Sequence, residues 1–199
     1  MITKAMAALI ESLTKLPGVG SKTAARLAYN IAEMKAEDVE NLAAAIRNVK
    51  AATHTCAICF TTIDSDREIC EICESTQRDD KTICVVKDAK DLEAIEHSSA
   101  YEGKYHVMGG LISPLAGITQ EDIRFAELIA RVRQSDIDEI IIAFEPSIEG
   151  SVTANFIAKS LKATGVKVTK LAQGMAVGAD FAGTDSVTIA KAIENRVPV

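Results

Sequence analysis

Apolar positions at helical spacing open the chain. Ile2, Met6, Leu9, Ile10 and Leu13 fall on one face and predict a helix over residues 2–15. Leu16-Pro17-Gly18-Val19-Gly20 breaks that pattern, because proline and paired glycines interrupt helices and permit positive φ. Ser21 then stands where an N-cap belongs, and residues 22–34 resume a helix with Ala24, Leu27, Ala28 and Ile31 inward. Val39, Leu42, Ala43 and Ile46 predict a third helix over about 36–51. The first fifty residues therefore read as all helix.

Between 52 and 80 the period disappears, and Thr, Asp, Cys and charged residues replace it. Beyond that the texture changes again. A β-rich run at 82–86 precedes a helix at 88–97, a strand at 105–108 and a helix at 120–134. A continuous apolar strand at 140–144, a helix at 150–164, a strand at 166–171 and a last helix at 186–195 follow. Strands alternating with helices predict an α/β unit of βαβ elements around a mainly parallel sheet, with Ile140-Ile141-Ile142 buried on both faces. The chain shows no long-period repeat and no low-complexity tract.

Composition narrows this picture only slightly. With 199 residues, 48% hydrophobic and 25% charged, the chain is neither disordered throughout, nor collagen-like, nor a coiled-coil rod. Its longest apolar run, Ala5 to Ile10, is far below a membrane span, and no secretory signal pattern is visible. A soluble, cytoplasmic protein without membrane partners is expected. In a reducing compartment its five cysteines argue against structural disulfides.

Net charge changes the picture more. The formal value of −6 points away from nucleic acid. Resolved along the chain, residues 1–63 carry seven basic and five acidic groups (+2), residues 64–149 nine and twenty (−11), and residues 150–199 six and three (+3). The acidity belongs to the middle, between two mildly basic ends.

Two constellations carry chemistry. Cys56-x-x-Cys59, ten residues, then Cys70-x-x-Cys73 forms two thiolate hooks joined by a hairpin-sized loop. Two such turns complete a tetrahedron, and four thiolates around one Zn²⁺ leave no position for water, so the expected site is structural. Buried thiols or a redox switch are the competing readings. His54 lies close enough in sequence to compete as a ligand, and Cys84, inside an apolar run, is expected in the core.

The second constellation is the glycine loop. Gly18 and Gly20 let the backbone approach a ligand closely, and the helix that follows offers unpaired N–H groups and a positive dipole end. A phosphate suits such a site. Lys22 and Arg26, four apart, project from one face toward adjacent phosphates, with Thr23 beside them. The pattern is a helix-hairpin-helix, which grips the nucleic-acid backbone without reading bases. A Walker A loop is rejected, because Ser21 precedes the lysine and Leu16 occupies the first glycine's place. A plain helical hairpin is the bland alternative. The absence of Trp argues against extensive base stacking.

Acids at strand ends are where Mg²⁺-dependent phosphoryl transfer would sit, and Asp88, Asp91, Glu145 and Glu149 are the residues to consider. No Asp-x-Asp pair stands at either strand end, and Lys87 puts a cation where a metal-binding acid is expected. A metal catalyst is not indicated.

With these pieces in order, the chain resembles the RecR family of bacterial recombination mediators over essentially its full length. The resemblance rests on Leu16-Pro-Gly-Val-Gly-Ser-Lys-Thr-Ala-Ala-Arg-Leu-Ala, the four cysteines, and Tyr101-x-Gly-x-Tyr-His-Val-x-Gly-Gly-x-Ile-Ser-Pro-Leu-x-Gly117. Glu149-Gly150 with Thr153-Ala154, and Gly174-x-x-Val-Gly178, complete it. It implies a helix-hairpin-helix domain at 1–53, a four-cysteine zinc finger at 54–80, a Toprim domain at 81–172 and a C-terminal segment at 173–199. It also implies a non-catalytic DNA-binding mediator of recombinational repair. Such a protein binds single-stranded or gapped DNA, assembles as a dimer or ring-like tetramer, and acts with RecO and RecF to help load RecA.

By the same resemblance Gly18, Gly20, Lys22, Thr23 and Arg26 would bind DNA, Cys56, Cys59, Cys70 and Cys73 one structural zinc, and Glu145 and Glu149 a RecO-like partner. The chain departs from the family pattern at Lys87, where glutamate is usual, and at Glu145, where asparagine is common. It departs again at Ser151, which replaces an acid, and Ala176, which replaces a frequent proline. Two other readings stay open at this point: a Mg²⁺-dependent Toprim nuclease or primase using Glu145 and Glu149, and a purely protein-binding adaptor.

Overall fold

A computed structural model describes residues 2–198. The chain divides into two units, one ending at Thr53 and one beginning at His54. In the first, Thr3 caps helix α1 (Lys4–Thr14) by accepting from the Met6 N–H at 3.3 Å. A turn with Gly18 at φ +80°, a backbone conformation that glycine tolerates without strain, leads into α2 (Ser21–Glu33). Ala24 and Ala28 of α2 are fully buried, small enough for the α1 and α2 backbones to lie close. Helix α3 (Ala36–Ala52) starts with Glu37 and Asp38, acids that favour the positive end of the helix dipole.

Two expectations shift here. Gly20, not Ser21, is the N-cap of α2, because Ser21 already has helical geometry. The apolar period that predicts α3 implies a buried face, yet Leu42 and Ile46 are 39% and 64% exposed and α3 buries no residue within the single chain.

Strand β1 (Thr53–Thr55) begins on the last residue of the first unit and pairs with β2 (Thr62–Asp64), which a single turn of helix, α4 (Glu71–Glu74), follows. Next come β3 (Asp79–Val86), α5 (Ala89–His97), β4 (Gly103–Val107), α6 (Phe125–Gln134) and β5 (Glu139–Ala143). Helix α7 (Ile148–Leu161), β6 (Lys167–Lys170) and α8 (Ser186–Glu194) complete the order. Four strands form a parallel sheet in the order β4-β3-β5-β6, with Cys84 level with Tyr105 on one side and Ile141 on the other. The α/β reading of the sequence holds.

Alternation along each strand decides which helix covers which face. Ile83, Val85, Ile140 and Ile142 meet Leu128 and Val132 of α6 and Ile157 and Leu161 of α7. The opposite parity, Cys84, Val86, Tyr105, Val107 and Ala143, meets Leu92 of α5. Cys84 is thus core, and burial lifts its thiol to about 12. Within the isoleucine strand, Ile140 and Ile142 are buried and Ile141 only half-buried, so the second face is less completely covered than its composition suggested.

The helix expected from residue 120 begins at Phe125. Side chains divert the preceding turn: Asp122 accepts from the Thr119 N–H and hydroxyl at 2.8 and 2.9 Å. The Arg124 N–H then donates to the Met108 carbonyl at 2.8 Å, drawing the segment onto the end of β4. The buried polar groups of the unit are mostly matched. Arg78 pairs with Glu96 through both carboxylate oxygens and donates to the Gly103 carbonyl, while the Tyr105 hydroxyl donates to Glu96 at 2.6 Å. Burial alone would raise the Glu96 carboxyl; Arg78 and Tyr105 outweigh it and hold it below its ordinary value.

His106 is the exception. It is fully buried, its Nε2 lies 2.8 Å from the Arg124 carbonyl, and its Nδ1 has no partner among the described residues. Nε2 must carry the proton to donate that bond. Burial lowers the imidazole to about 4 from an ordinary 6.5. The unfolded chain therefore takes up this proton first, and folding stability should fall as pH drops from 6.5 toward 4, by up to ~3 kcal/mol. NMR of the His106 ring should show a neutral imidazole at pH 5.5, and an ordinary titration near 6.5 would contradict this.

Candidate functional site

The four knuckle cysteines converge. Their Sγ atoms all lie within 4.8 Å of one another; Cys56, Cys59 and Cys70 are buried and Cys73 is half-buried. The first hook closes as the Phe60 N–H reaches the Cys56 carbonyl at 3.0 Å, with Phe60 itself at φ +64°. In the second, Cys70 caps α4 and its Sγ accepts from the Cys73 N–H at 3.4 Å. The Cys70 N–H in turn points to Cys56 Sγ at 3.3 Å, tying hook to hook.

A tetrahedral thiolate site with bonds of ~2.3 Å has sulfurs roughly 3.8 Å apart. The four sulfurs therefore fit one ion, and they are soft donors. Contact with Cys59 holds the Cys70 thiol below its ordinary value, and the same contact with Cys70 pushes Cys59 up. Such a cluster cannot fully ionise without a cation to share. His54 is not part of it, and among the described residues no other Cys, His, Asp or Glu group gathers in this way.

This knuckle is fastened to the sheet. The Val107 N–H on edge strand β4 donates to the Cys59 carbonyl at 2.7 Å. Three residues earlier on the same strand, Lys104 is only 6% exposed. Its ammonium donates to the carbonyls of Ile72, Cys73 and Ser75 at 2.9, 3.2 and 2.6 Å. Those carbonyls are left over at the end of α4, where a cation is the natural partner. Sequence reasoning missed Lys104. The available signal was a lysine inside a five-residue strand that is otherwise apolar, aromatic or small.

The hairpin residues lie around the start of α2. Gly18, Gly20, Lys22 and Arg26 are exposed and Thr23 is half-buried. Gly20 supplies no side-chain cap, the first turn of α2 contains no acid, and the first helical bond runs from the Ala24 N–H to the Gly20 carbonyl at 2.9 Å. The amides of Ser21, Lys22 and Thr23 therefore face outward beside two cations.

At the C-terminal ends of the sheet strands the acids are diverted rather than assembled. Lys87, following β3, pairs with Glu145, following β5, at 3.3 Å. Asp88 caps α5 through the Lys90 and Asp91 amides at 3.0 and 3.2 Å. Burial, helped by the Asp88 carboxylate, raises the Asp91 carboxyl. Glu149 lies half-buried in the first turn of α7. Gly150 beside it admits no side chain, since a Cβ would stand 2.5 Å from the Glu145 carbonyl oxygen. Thr153, fully buried, donates to the Glu149 carbonyl at 2.7 Å and accepts from the Ile112 N–H at 2.9 Å. Thr153 thus joins the Gly109–Gly117 loop to α7, bringing two distant sequence motifs together.

Fold and site define a protein that combines a helical hairpin, a four-cysteine knuckle and a Toprim-type sheet. Residues 81–172 match the Toprim domain model, and residues 6–50 match the model described as RecR, helix-hairpin-helix. The chain is 44% identical over 196 residues to the "Recombination protein RecR" of Paenarthrobacter aurescens, covering 98% of each chain. It is 43% identical over 188 residues to the protein of the same name from Streptomyces avermitilis, covering 94% of each. The chain belongs to the RecR family.

Lys104→Met should strand three carbonyls at the knuckle and cost about 1–3 kcal/mol of folding stability. Urea unfolding of the two proteins at equal metal content measures the difference.

Proposed function

We propose that this chain is a DNA-binding mediator of recombinational repair that acts as a scaffold rather than as an enzyme. The observation that carries the reading is the bare N-terminus of α2, with exposed Gly20, Lys22 and Arg26 around unpaired amides. Gly18, Gly20, Lys22, Thr23 and Arg26 would hold phosphates of single-stranded or gapped DNA, with the amides and cations sharing the negative charge. The finger at 54–80, fastened to the Toprim domain at 81–172, and the C-terminal segment at 173–199 would complete the domain order that the hairpin domain at 1–53 begins. Zn²⁺ is the metal the knuckle would hold, through Cys56, Cys59, Cys70 and Cys73, since four thiolates and a closed site suit it best.

The Lys87–Glu145 pair supports the non-catalytic reading, because the carboxylate a Mg²⁺ site would need is already neutralised by a lysine. Glu145 and Glu149 instead offer a partly charged surface for a RecO-like partner, within a cytoplasmic assembly that also includes RecF and helps load RecA. Self-association, as a dimer or ring-like tetramer, is supported by Leu42, Ile46 and Val49, which leave an apolar stripe exposed along α3. Assembly would multiply individually weak DNA contacts through effective concentration.

On protein of measured oligomeric mass, Lys22→Ala with Arg26→Ala should weaken DNA binding sharply. It should also flatten the dependence of log affinity on log salt by about two for duplex DNA. Unchanged binding at matched salt would favour the protein-binding adaptor instead. Elemental analysis should find one zinc per chain. Cys56→Ser or Cys70→Ser should lose both the zinc and much of the thermal stability, because metal binding and folding are coupled.

A further inference from the structure

The four cysteines of the knuckle are not equally exposed. Cys56 and Cys59 have no exposed surface and Cys70 is 6% exposed, whereas Cys73 is half-buried. Cys73 also lines a cavity of about 460 Å³ between the knuckle and the end of the sheet where β3 begins. Lys81, Lys104 and Arg131 line the same cavity, with Asp80 and Asp136 among the remaining wall. Lys104 is fixed against the Cys73 carbonyl, and Arg131 is anchored by one N–H to the Tyr105 carbonyl at 2.6 Å. A small oxidant entering here reaches one cysteine of the cluster, on a wall that also holds two immobilised cationic side chains. Cations at that position favour the anionic hydroxide that leaves when a thiolate is oxidised.

We propose that Cys73 is the modification site of the knuckle, the ligand at which a peroxide attacks first, with Cys70 as the thiol that resolves the product and metal release as the result. This rests on the reading of the four cysteines as a metal centre. In the first step the Cys73 thiolate attacks the peroxide O–O bond. A sulfur–oxygen bond forms, hydroxide leaves, and the oxidised sulfur no longer serves as a thiolate ligand. In the second, the Cys70 thiolate attacks the Cys73 sulfur, a disulfide forms and a second hydroxide leaves. Hydrogen peroxide is reduced to two waters after both hydroxides take up protons, and two thiolates are oxidised. Cys70 is placed for this, since the Cys73 amide already points at its Sγ from 3.4 Å and the two sulfurs lie within 4.8 Å. Two ligands then remain, Cys56 and Cys59, too few to retain the ion.

The test uses the full-length, metal-loaded chain with its metal content measured first. Under limiting iodoacetamide, peptide mass spectrometry should find Cys73 alkylated at least tenfold faster than Cys56 and Cys59. Hydrogen peroxide should produce the Cys70–Cys73 disulfide in step with metal appearing on a chromophoric chelator. Metal-bearing protein in which Cys56 or Cys59 reacts first, or all four react together, overturns this inference alone. So does peroxide treatment that yields a different disulfide. Protein that binds no metal overturns the metal centre as well.

Discussion

Four sulfur atoms drawn within 4.8 Å of one another must share protons or share a cation, and residues 54–80 have little else to hold them. Around the cluster pack only Ile63, Ile69 and Ile72 besides the cysteines themselves, among the described residues. A segment this short cannot bury enough apolar surface to fold by that means alone. The Cys70 N–H to Cys56 sulfur bond shows how economical the arrangement is, with backbone amides oriented by the same sulfurs that could hold an ion. What the knuckle holds is then transmitted to the sheet, through one backbone bond at Val107 and one buried ammonium at Lys104. The metal centre and the α/β unit are mechanically one object.

At the other end of the strands, the acids are paired or used as caps rather than gathered at one point. Parallel sheets present their binding sites beyond the strand C-termini. Here that region contains a Lys87–Glu145 pair, a carboxylate spent on capping α5, and a glycine forced by the Glu145 carbonyl. The tight geometry at Gly150 and Thr153 stands beside a Glu145 carboxylate paired with Lys87 and an Asp88 carboxylate held by the α5 amides. This preserves a precisely shaped surface without the clustered negative charge a divalent ion requires.

Much of this was legible in the chain, for identifiable reasons. The knuckle could be read because thiolate hooks need fixed spacing, and the hairpin because glycines and cations have to stand at set places around a helix start. The sheet could be read because buried parallel strands are apolar throughout, as at Ile140–Ile142. The helix start at Phe125 was not, because Thr119 and Asp122 form their own hydrogen bonds and override a favourable apolar period. The cap at Gly20 was hidden by a better-looking serine one position on. Lys104 and the Arg78–Glu96 pair were out of reach for a different reason: their partners lie 18 to 32 residues away, and nothing local marks them.

The bond from Val107 to the Cys59 carbonyl also has a bearing on the sheet as a template. An open parallel sheet has two rims, and each offers a row of unsatisfied amides and carbonyls to any passing strand. The knuckle lies across the rim formed by β4, so that side is no longer free to recruit another chain. The remaining rim, β6, is bracketed by Lys167 and Lys170, whose charges discourage stacking of like strands. One rim is closed by architecture and the other by electrostatic repulsion, so a protein with an exposed apolar stripe along α3 is protected from growing by indiscriminate β-pairing. Any association is left to surfaces that can be geometrically specific.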